Sequence, residues 1–275
     1  MANSVGLTQA PAFTGAKFVT GHRDAMISIV LKGLTGPVEG KTYQSLMVPM
    51  QGNDDEYIAA IVSYVRTTFG NAASMVSTSD VARVRAIFKD RTAPWTEEEL
   101  ASTLPQPVPN RGEWKATASV NSETAAFAID GKPDTLYAAK STQTPGMWFQ
   151  VELPAATLVS GLLLSSGAAT NDFLRDYQVL VSADGAQWGE AVATGHGTGV
   201  HTEILFQPVE AKFVRVQTAA ANVGFGRGRG GFGFGRGRGP QVEPSWSISE
   251  LQLLQPPPAI PQSLLVKKAE GSKYE

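Results

Sequence analysis

A short loop in the middle of the chain groups side chains that bind hard metal ions. Asp130 and Asp134 lie on either side of Gly131, and Thr135 follows directly. Calcium binds about six to eight oxygen ligands, and a glycine lets such a loop turn sharply. The same residues are also typical of an Asx turn, in which an aspartate accepts local hydrogen bonds and no metal is present. The residue pattern therefore allows a calcium loop or a metal-free turn.

Motifs for catalysis are missing from the sequence. The chain has three histidines and no cysteine, so disulfides, Cys-ligated zinc, iron–sulfur clusters and thiol nucleophiles are excluded. It also lacks a nucleophile elbow, a phosphate-binding loop, a metal-hydrolase histidine pair and a dinucleotide fingerprint. With 42% hydrophobic residues and a net charge of −2, it has the composition of a folded protein rather than a disordered or generally nucleic-acid-binding one. We therefore do not expect this chain alone to be an enzyme.

The first third of the chain has helical periodicity. Apolar spacing predicts one helix over residues 23–34 and a second that begins after an N-cap at Asn53 and ends at Gly70. A third helix is predicted over residues 79–89. Residues 104–111 contain three prolines, which predicts a linker.

Four segments of this helical part resemble, in order and spacing, class I cytochrome c domains at the C-terminal end of large bacterial exported dehydrogenase-like proteins. These segments are Leu7–Phe13, Ile29–Val38, Tyr43–Met50 and Asp54–Arg66. The resemblance implies that Met47, with Met50 as the fallback, is an axial ligand of haem iron. Covalent attachment of haem c needs a C-x-x-C-H motif, which is absent here and which the resemblance implies lies upstream of Leu7. We expect His22 to be a surface or capping residue.

After Trp114 the pattern changes to short β-rich runs separated by turn residues. Six runs are predicted to be strands, namely 148–153, 159–165, 177–182, 201–206, 213–217 and 247–254. Their number and spacing predict a β-sandwich or jelly roll.

Five motifs in residues 113–254 resemble the discoidin module, also called the coagulation-factor five/eight type C domain, which overlaps with one class of carbohydrate-binding modules. The motifs are Ala128–Tyr137, Met147–Leu153, Asp176–Trp188, Lys212–Val216 and Trp246–Leu251. The resemblance implies that Glu250 joins Asp130, Asp134 and Thr135 in a structural calcium site. It also implies that ligand-binding residues lie on variable loops.

Asn171, Asp172 and Arg175 lie on such a loop and precede a strand. They are candidates for hydrogen bonding to a sugar, and an ordinary solvated loop is the alternative. Trp148 and Trp188 are expected to be core or corner residues rather than sugar-stacking aromatics, because buried indoles dominate small sandwiches.

Residues 224–239 are a low-complexity insert with four arginines and three phenylalanines. The composition resembles RGG-type segments that bind RNA by charge and stacking. A flexible loop extension is the alternative, and an anionic glycan or a protein is an equally good target. Four charges give only weak, salt-sensitive affinity, so nucleic acid is not an expected partner.

These patterns predict a multidomain chain. A partial all-α cytochrome c-like piece spans residues 1–90, and a short helical turn with a proline-rich linker spans 91–112. An all-β discoidin-like jelly-roll sandwich spans residues 113–255, and a disordered tail spans 256–275.

The expected function is that of the C-terminal fragment of an exported c-type cytochrome fusion. Its haem would exchange electrons with an upstream dehydrogenase domain or another redox partner, and its sandwich would bind a polysaccharide or cell-surface glycan. The alternative is a non-haem carbohydrate-binding or adhesion protein in which the helices are only structural. The sequence shows no signal peptide and no membrane span, and a periplasmic or cell-surface location follows if the full-length protein is exported.

Overall fold

The computed structural model describes residues 10–43, 47–197, 199–219 and 245–269. The chain divides into a helical unit, formed by Met1–Pro107 and Leu254–Glu275, and a β unit, formed by Val108–Leu253. The insert at residues 224–239 lies outside the described residues, and so do residues 270–275 of the predicted tail.

The helical unit is built mainly from three helices of ten or more residues. The described α-helices are α1 Lys17–Thr20, α2 Arg23–Lys32, α3 Asp55–Thr67, α4 Thr78–Ile87, α5 Glu97–Ser102 and α6 Gln262–Leu265. The described strands are β1 Pro37–Val38, β2 Lys41–Thr42, β3 Gln106–Pro107, β4 Lys115–Ala118, β5 Tyr137–Ala138, β6 Trp148–Ser165, β7 Asp176–Ser182, β8 Ala193–His196, β9 His201–Thr218, β10 Ser247–Ile248 and β11 Glu250–Gln255. Short 3₁₀ helices span Arg111–Glu113 and Ser122–Ala128.

Local capping and apolar spacing explain where the helices begin. The Asp54 carboxylate accepts a hydrogen bond from Tyr57 N at 2.8 Å and caps α3, one residue later than the predicted cap at Asn53. The apolar stripe of α3 buries Ile58, Val62 and Val65 in the helical core. This burial, rather than helix propensity alone, holds the helix in place.

The tail differs from the disordered segment predicted over residues 256–275. Ile260 and Leu265 pack against the helical core, and the buried guanidinium of Arg91 donates to Leu264 O at 3.0 Å. The backbone amides of Thr92 and Ala93 both donate to Lys267 O. Residues 256–269 are therefore part of the helical unit. Their apolar side chains pack against its core, and their carbonyl groups accept hydrogen bonds from residues far away in the sequence.

The predicted linker at residues 91–112 is also more structured than its prolines suggest. Gln106 and Pro107 form β3, which pairs antiparallel with Gln255 and Leu254 of β11. The Gln106 amide donates to the carbonyl oxygens of Ala101 and Leu104, both at 2.8 Å. Proline is tolerated here because β3 is an edge strand of its sheet, where a missing backbone N–H does not interrupt the hydrogen-bond ladder.

The β unit is organised around two 18-residue strands, β6 and β9, which pair antiparallel along their length. In the main sheet, the strands follow one another in the order β11, β6, β9, β7 and β8. Strand β4 pairs with the first part of β6, from Phe149 to Glu152. A second pair joins β5 to β10. This arrangement confirms an all-β fold for the second part of the chain.

Five of the six predicted β runs lie within described strands, and the sixth, 247–254, is divided between β10 and β11. Runs 148–153 and 159–165 are the two halves of β6, and runs 201–206 and 213–217 are the two halves of β9. The register of the pair shifts between Glu152 and Thr157 and again between Val159 and Gly161. Such irregularities interrupt the alternation of apolar residues, so one long strand reads as two short ones.

Among the described residues, no helix is both long enough and apolar enough to cross a membrane.

Candidate functional site

Alternation along the strands of the β unit separates a core face from an outer face. Phe149 and Val151 of β6 and Val214 and Val216 of β9 are buried. Their neighbours in the sequence point to the opposite face of the sheet. Two of the segments that connect elements of this unit, residues 129–136 and 166–175, contain predicted site residues.

The loop after the second 3₁₀ helix brings several oxygen atoms together around Thr135. The Thr135 hydroxyl lies 3.0 and 2.9 Å from the two carboxylate oxygens of Asp130 and 2.9 Å from Lys132 O. It also lies 3.5 Å from Phe127 O. A hydroxyl carries one proton and cannot donate to four acceptors at once, so most of these close contacts lack a donor.

Glu250 adds a further oxygen atom that has no hydrogen-bond partner. Its Oε1 atom is buried without a partner among the described residues, while Oε2 contacts Arg111 Nη2. Arg111 Nη2 also donates to Ala128 O at 3.2 Å. An unpartnered buried acceptor is costly, and a cation is one group that satisfies it.

The electrostatics of Asp130 favour its charged form. Desolvation raises its pKa, but hydrogen bonds from Lys132 N and Thr135 and the nearby charges of Lys132 and Arg111 outweigh this effect, and the pKa lies below its ordinary value. The backbone bond from Lys132 N to Asp130, at 2.9 Å, is the Asx turn that the sequence allowed.

Of the predicted calcium ligands, the structure brings Asp130 and Thr135 into contact in this loop, while Glu250 lies in β11. Asp130, Thr135, Glu250 and the carbonyls of Phe127 and Lys132 are hard oxygen donors of the kind calcium prefers. Asp134 is exposed and makes no hydrogen bond within the described part of the chain. Nor do the described residues contain a group of three or more histidine and acidic side chains arranged for a metal. Three of the five oxygen donors named above are neutral, namely the Thr135 hydroxyl and the carbonyl groups of Phe127 and Lys132.

The second predicted cluster lies on the loop that precedes β7. The Arg175 guanidinium carbon lies 3.6 Å from the centre of the Phe173 ring, and Arg175 Nη2 donates to Asn171 O at 2.8 Å. Asn171 is exposed, and the Asp172 backbone carbonyl accepts from Ser247 N at 2.8 Å. The structure thus brings Asn171 and Arg175 together, whereas Asp172 connects the loop to β10.

Sequence reasoning missed two residues of this loop end. The Gln143 amide donates to Phe173 O and Ser245 O and accepts from Arg175 N. The exposed His196 contacts the Asp176 carboxylate through Nδ1, and the next residue, Gly197, donates to Arg175 O at 2.6 Å. No sequence pattern indicated these contacts, because their partners lie 20 to 102 residues away. We call Gln143, Asn171, Phe173, Arg175 and His196 the loop-end cluster.

The loop-end cluster combines a planar pair with exposed hydrogen-bonding groups. The Arg175 guanidinium is stacked on the Phe173 ring and donates to Asn171 O, and Asn171 and His196 are exposed. Planar groups next to amide, imidazole and guanidinium donors suit ligands that carry many hydroxyl groups.

In the helical unit, the predicted haem ligands lie in a different kind of environment. Met47 and Met50 are partly buried and pack against the helical core, and Met50 N donates to Val30 O at 2.8 Å. His22 Nδ1 accepts from Asp24 N at 3.2 Å and caps α2. The sequence also lacks cysteine. The described residues therefore do not fit covalently attached haem.

Comparisons with known proteins bear on the β unit. Residues 114–228 match the family model of the F5/8 type C domain. The β unit thus carries an F5/8 type C domain, as the discoidin resemblance implied. This match does not extend to the cytochrome-like segments. No curated protein matches the chain.

Solved structures of low sequence identity also resemble part of the chain. The module CpGH89CBM32-5 from Clostridium perfringens, in complex with GalNAc-β-1,3-galactose, is 22% identical over 54% of this chain and 99% of that one, with a TM-score of 0.41. The family 32 module of C. perfringens NanJ, in complex with galactose, is 19% identical over 55% and 98%, with a TM-score of 0.40. Chitosan-binding module 1 of a Paenibacillus sp. IK-5 chitosanase/glucanase is 24% identical over 50% and 92%, with a TM-score of 0.37.

Proposed function

We propose that this chain is a non-catalytic carbohydrate-binding protein and that its F5/8 type C domain holds the sugar at the loop-end cluster. One observation carries the proposal, namely the Arg175–Phe173 stack beside exposed Asn171 and His196. The match at residues 114–228 supports it, because all five residues of the cluster lie within that range. This role corresponds to the alternative function considered from the sequence.

Arg175, His196 and Gln143 each have a distinct part in binding. Arg175 donates hydrogen bonds to sugar hydroxyls while its planar group is held against Phe173. Contact with the Asp176 carboxylate orients the His196 ring, which offers its other nitrogen to the ligand. Gln143 positions the loop through three hydrogen bonds, so little conformational entropy is lost when a sugar binds.

Calcium has a structural part in this proposal. Asp130, Thr135, Glu250 and the carbonyls of Phe127 and Lys132 would hold the ion, with Arg111 balancing the second oxygen of Glu250. The ion would fix the 127–135 loop to β11 and would take no part in sugar contact.

Carbohydrate binding implies that the protein acts outside the cytoplasm. We propose that it is located in the periplasm or at the cell surface. Electron transfer through Met47, haem c and a dehydrogenase partner remains a prediction from the sequence resemblance alone. Neither the loop-end cluster nor the calcium loop depends on it.

A glycan array tests the proposal. The full chain is labelled and applied to immobilised galactose, N-acetylgalactosamine and chitooligosaccharide ligands, among others. We expect selective retention that is lost in Arg175→Ala and kept in Lys89→Gln, which removes a positive charge from an exposed residue of the helical unit. Equal retention of Arg175→Ala and the unchanged chain would contradict the assignment.

A further inference from the structure

The outer face of the main sheet carries an arginine held by two tryptophans. The Arg215 guanidinium carbon lies 3.8 Å from the ring centre of Trp188 and 4.4 Å from that of Trp148. Its Nε and Nη2 atoms both donate to Gln150 Oε1, at 3.2 and 2.8 Å. Trp148 and Trp188, which the sequence predicted to be core or corner residues, are therefore half-buried groups on the outer face.

The charge of Arg215 is not balanced by a carboxylate in the described part of the protein. By contrast, half-buried Arg85 pairs with Asp55 and buried Arg91 pairs with Glu99. Arg215 instead bonds to a neutral amide, and desolvation lowers its pKa. Removing a cation from water without a counter-charge is unfavourable, so this position favours an anion from outside the chain.

The position is also rigid and lies in a positive part of the sheet. Trp188 follows a turn in which Asp184 Oδ1 accepts from Ala186 N and Gln187 N, at 2.9 and 2.8 Å. On the same face, Lys115 and Lys212 lie 4.0 and 3.7 Å from Glu152. With Arg215, these residues carry three positive charges and one negative charge.

We propose that this outer face binds an acidic polysaccharide, with a sugar carboxylate or sulfate on Arg215 and the sugar ring against the edges of Trp148 and Trp188. The fixed planar fork of arginine suits such anions better than a lysine would. Gln150 supplies an amide for sugar hydroxyls. The face shares no residue with the loop-end cluster and does not rest on the function proposed for that cluster.

A nucleic acid is the less favoured ligand for this face. Binding to a phosphate backbone relies on many cationic contacts, about six to ten in strong complexes. The outer face offers three cations and one acid, and both tryptophans already use a ring face on Arg215. A polysaccharide needs fewer charges because hydroxyl groups supply further hydrogen bonds.

Affinity electrophoresis of the full chain tests this proposal. The gels contain polygalacturonate, or its methyl ester, which has the same backbone without the charge. We expect retardation by polygalacturonate that decreases with salt and is absent with the ester. Arg215→Gln is expected to lower affinity about tenfold, the effect of losing one hydrogen-bonded charge. Lys89→Gln, which removes a positive charge from an exposed residue of the helical unit, should stay within about twofold.

Repeating the measurement in a chain without residues 224–239 removes the other arginine-rich segment. If Arg215→Gln does not fold, as judged by circular dichroism, Lys115→Gln combined with Lys212→Gln is expected to weaken binding on the same face. Equal retardation by the methyl ester, unchanged binding by a folded Arg215→Gln, or Arg215-dependent binding of single-stranded RNA but not of polygalacturonate would each overturn the proposal. Loss of glycan binding in Arg175→Ala concerns the loop-end cluster alone, so the two proposals fail separately.

Discussion

The hydroxyl of Thr135 lies within 3.0 Å of both carboxylate oxygens of Asp130. The same hydroxyl is 2.9 Å from Lys132 O, although it has one proton to donate. Oxygen atoms that crowd together without donors repel one another, and a divalent cation would turn this repulsion into attraction. These contacts are the basis for the calcium prediction that follows.

Calcium is expected to stabilise the β unit. An ion that binds only the folded state at about 100 times its dissociation constant adds about 2.7 kcal/mol to the free energy of unfolding. Differential scanning calorimetry with calcium and with EDTA measures the shift in Tm. Glu250→Gln and Thr135→Val should remove the calcium-dependent part.

Asp134→Asn is the matched control, because Asp134 is exposed and has no hydrogen bond in the described structure. It should keep the full calcium response. A response lost in Asp134→Asn, or no response to millimolar calcium in the unchanged chain, would speak against this arrangement of ligands.

Removing residues 256–275 is expected to open the segment around Arg91. The tail supplies Leu264 O to the buried Arg91 guanidinium and Lys267 O to the amides of Thr92 and Ala93. Hydrogen exchange of those two amides should be slow in the full chain and fast in the truncated one, because each loses its acceptor. Removal of residues 270–275 alone serves as the control, and equal protection in both truncations would contradict a packed tail.

Acid should loosen the same contact through Glu99. Burial raises the pKa of this carboxyl, but hydrogen bonds from Lys267 and Arg91 outweigh burial and hold the pKa below its ordinary value of 4.5. A lowered folded-state pKa gives stability that is present above the unfolded pKa and lost as pH falls through the folded one. Protection of Thr92 and Ala93 should therefore be constant above about pH 5 and decrease below about pH 4. Glu99→Gln should flatten this dependence, and an unchanged pH profile in that variant would exclude Glu99 as its source.

Gln143 is expected to position the loop-end cluster without touching the ligand. Gln143→Ala leaves Phe173 O, Ser245 O and Arg175 N without their partner, which costs about 1–3 kcal/mol for each buried group left unsatisfied. Sugar affinity should decrease while the sugar selectivity on a glycan array stays the same. A change in selectivity would instead show that Gln143 contacts the sugar itself.

The sequence predicts local features of this protein better than long-range ones. The period-two alternation around Phe149 and Val214 locates the strands, since buried apolar residues must recur on one face. The cap of α3 is displaced by one residue because Asn53 and Asp54 are both good capping residues.

Contacts between distant residues could not be derived in this way. Arg111 and Glu250 are 139 residues apart, and neither has a local pattern that indicates the other. The order of residues 256–269 depends on the buried Arg91 and on Trp95, whose ring lies 3.6 Å from the Arg91 guanidinium carbon. The composition alone predicted disorder there, because a run of prolines precedes the few apolar residues that pack against the helical core.

Isothermal titration calorimetry of the full chain with the best sugar from the glycan array tests carbohydrate binding by the loop-end cluster most directly. A monosaccharide or disaccharide should bind with a stoichiometry of one and a Kd of roughly 0.1–5 mM, given the small number of ligand atoms. Arg175→Ala should abolish the heat of binding at an unchanged Tm, while the exposed-residue variant Lys89→Gln should bind normally. Binding that is equally strong in Arg175→Ala, or no heat with any sugar that the array retains, would contradict it.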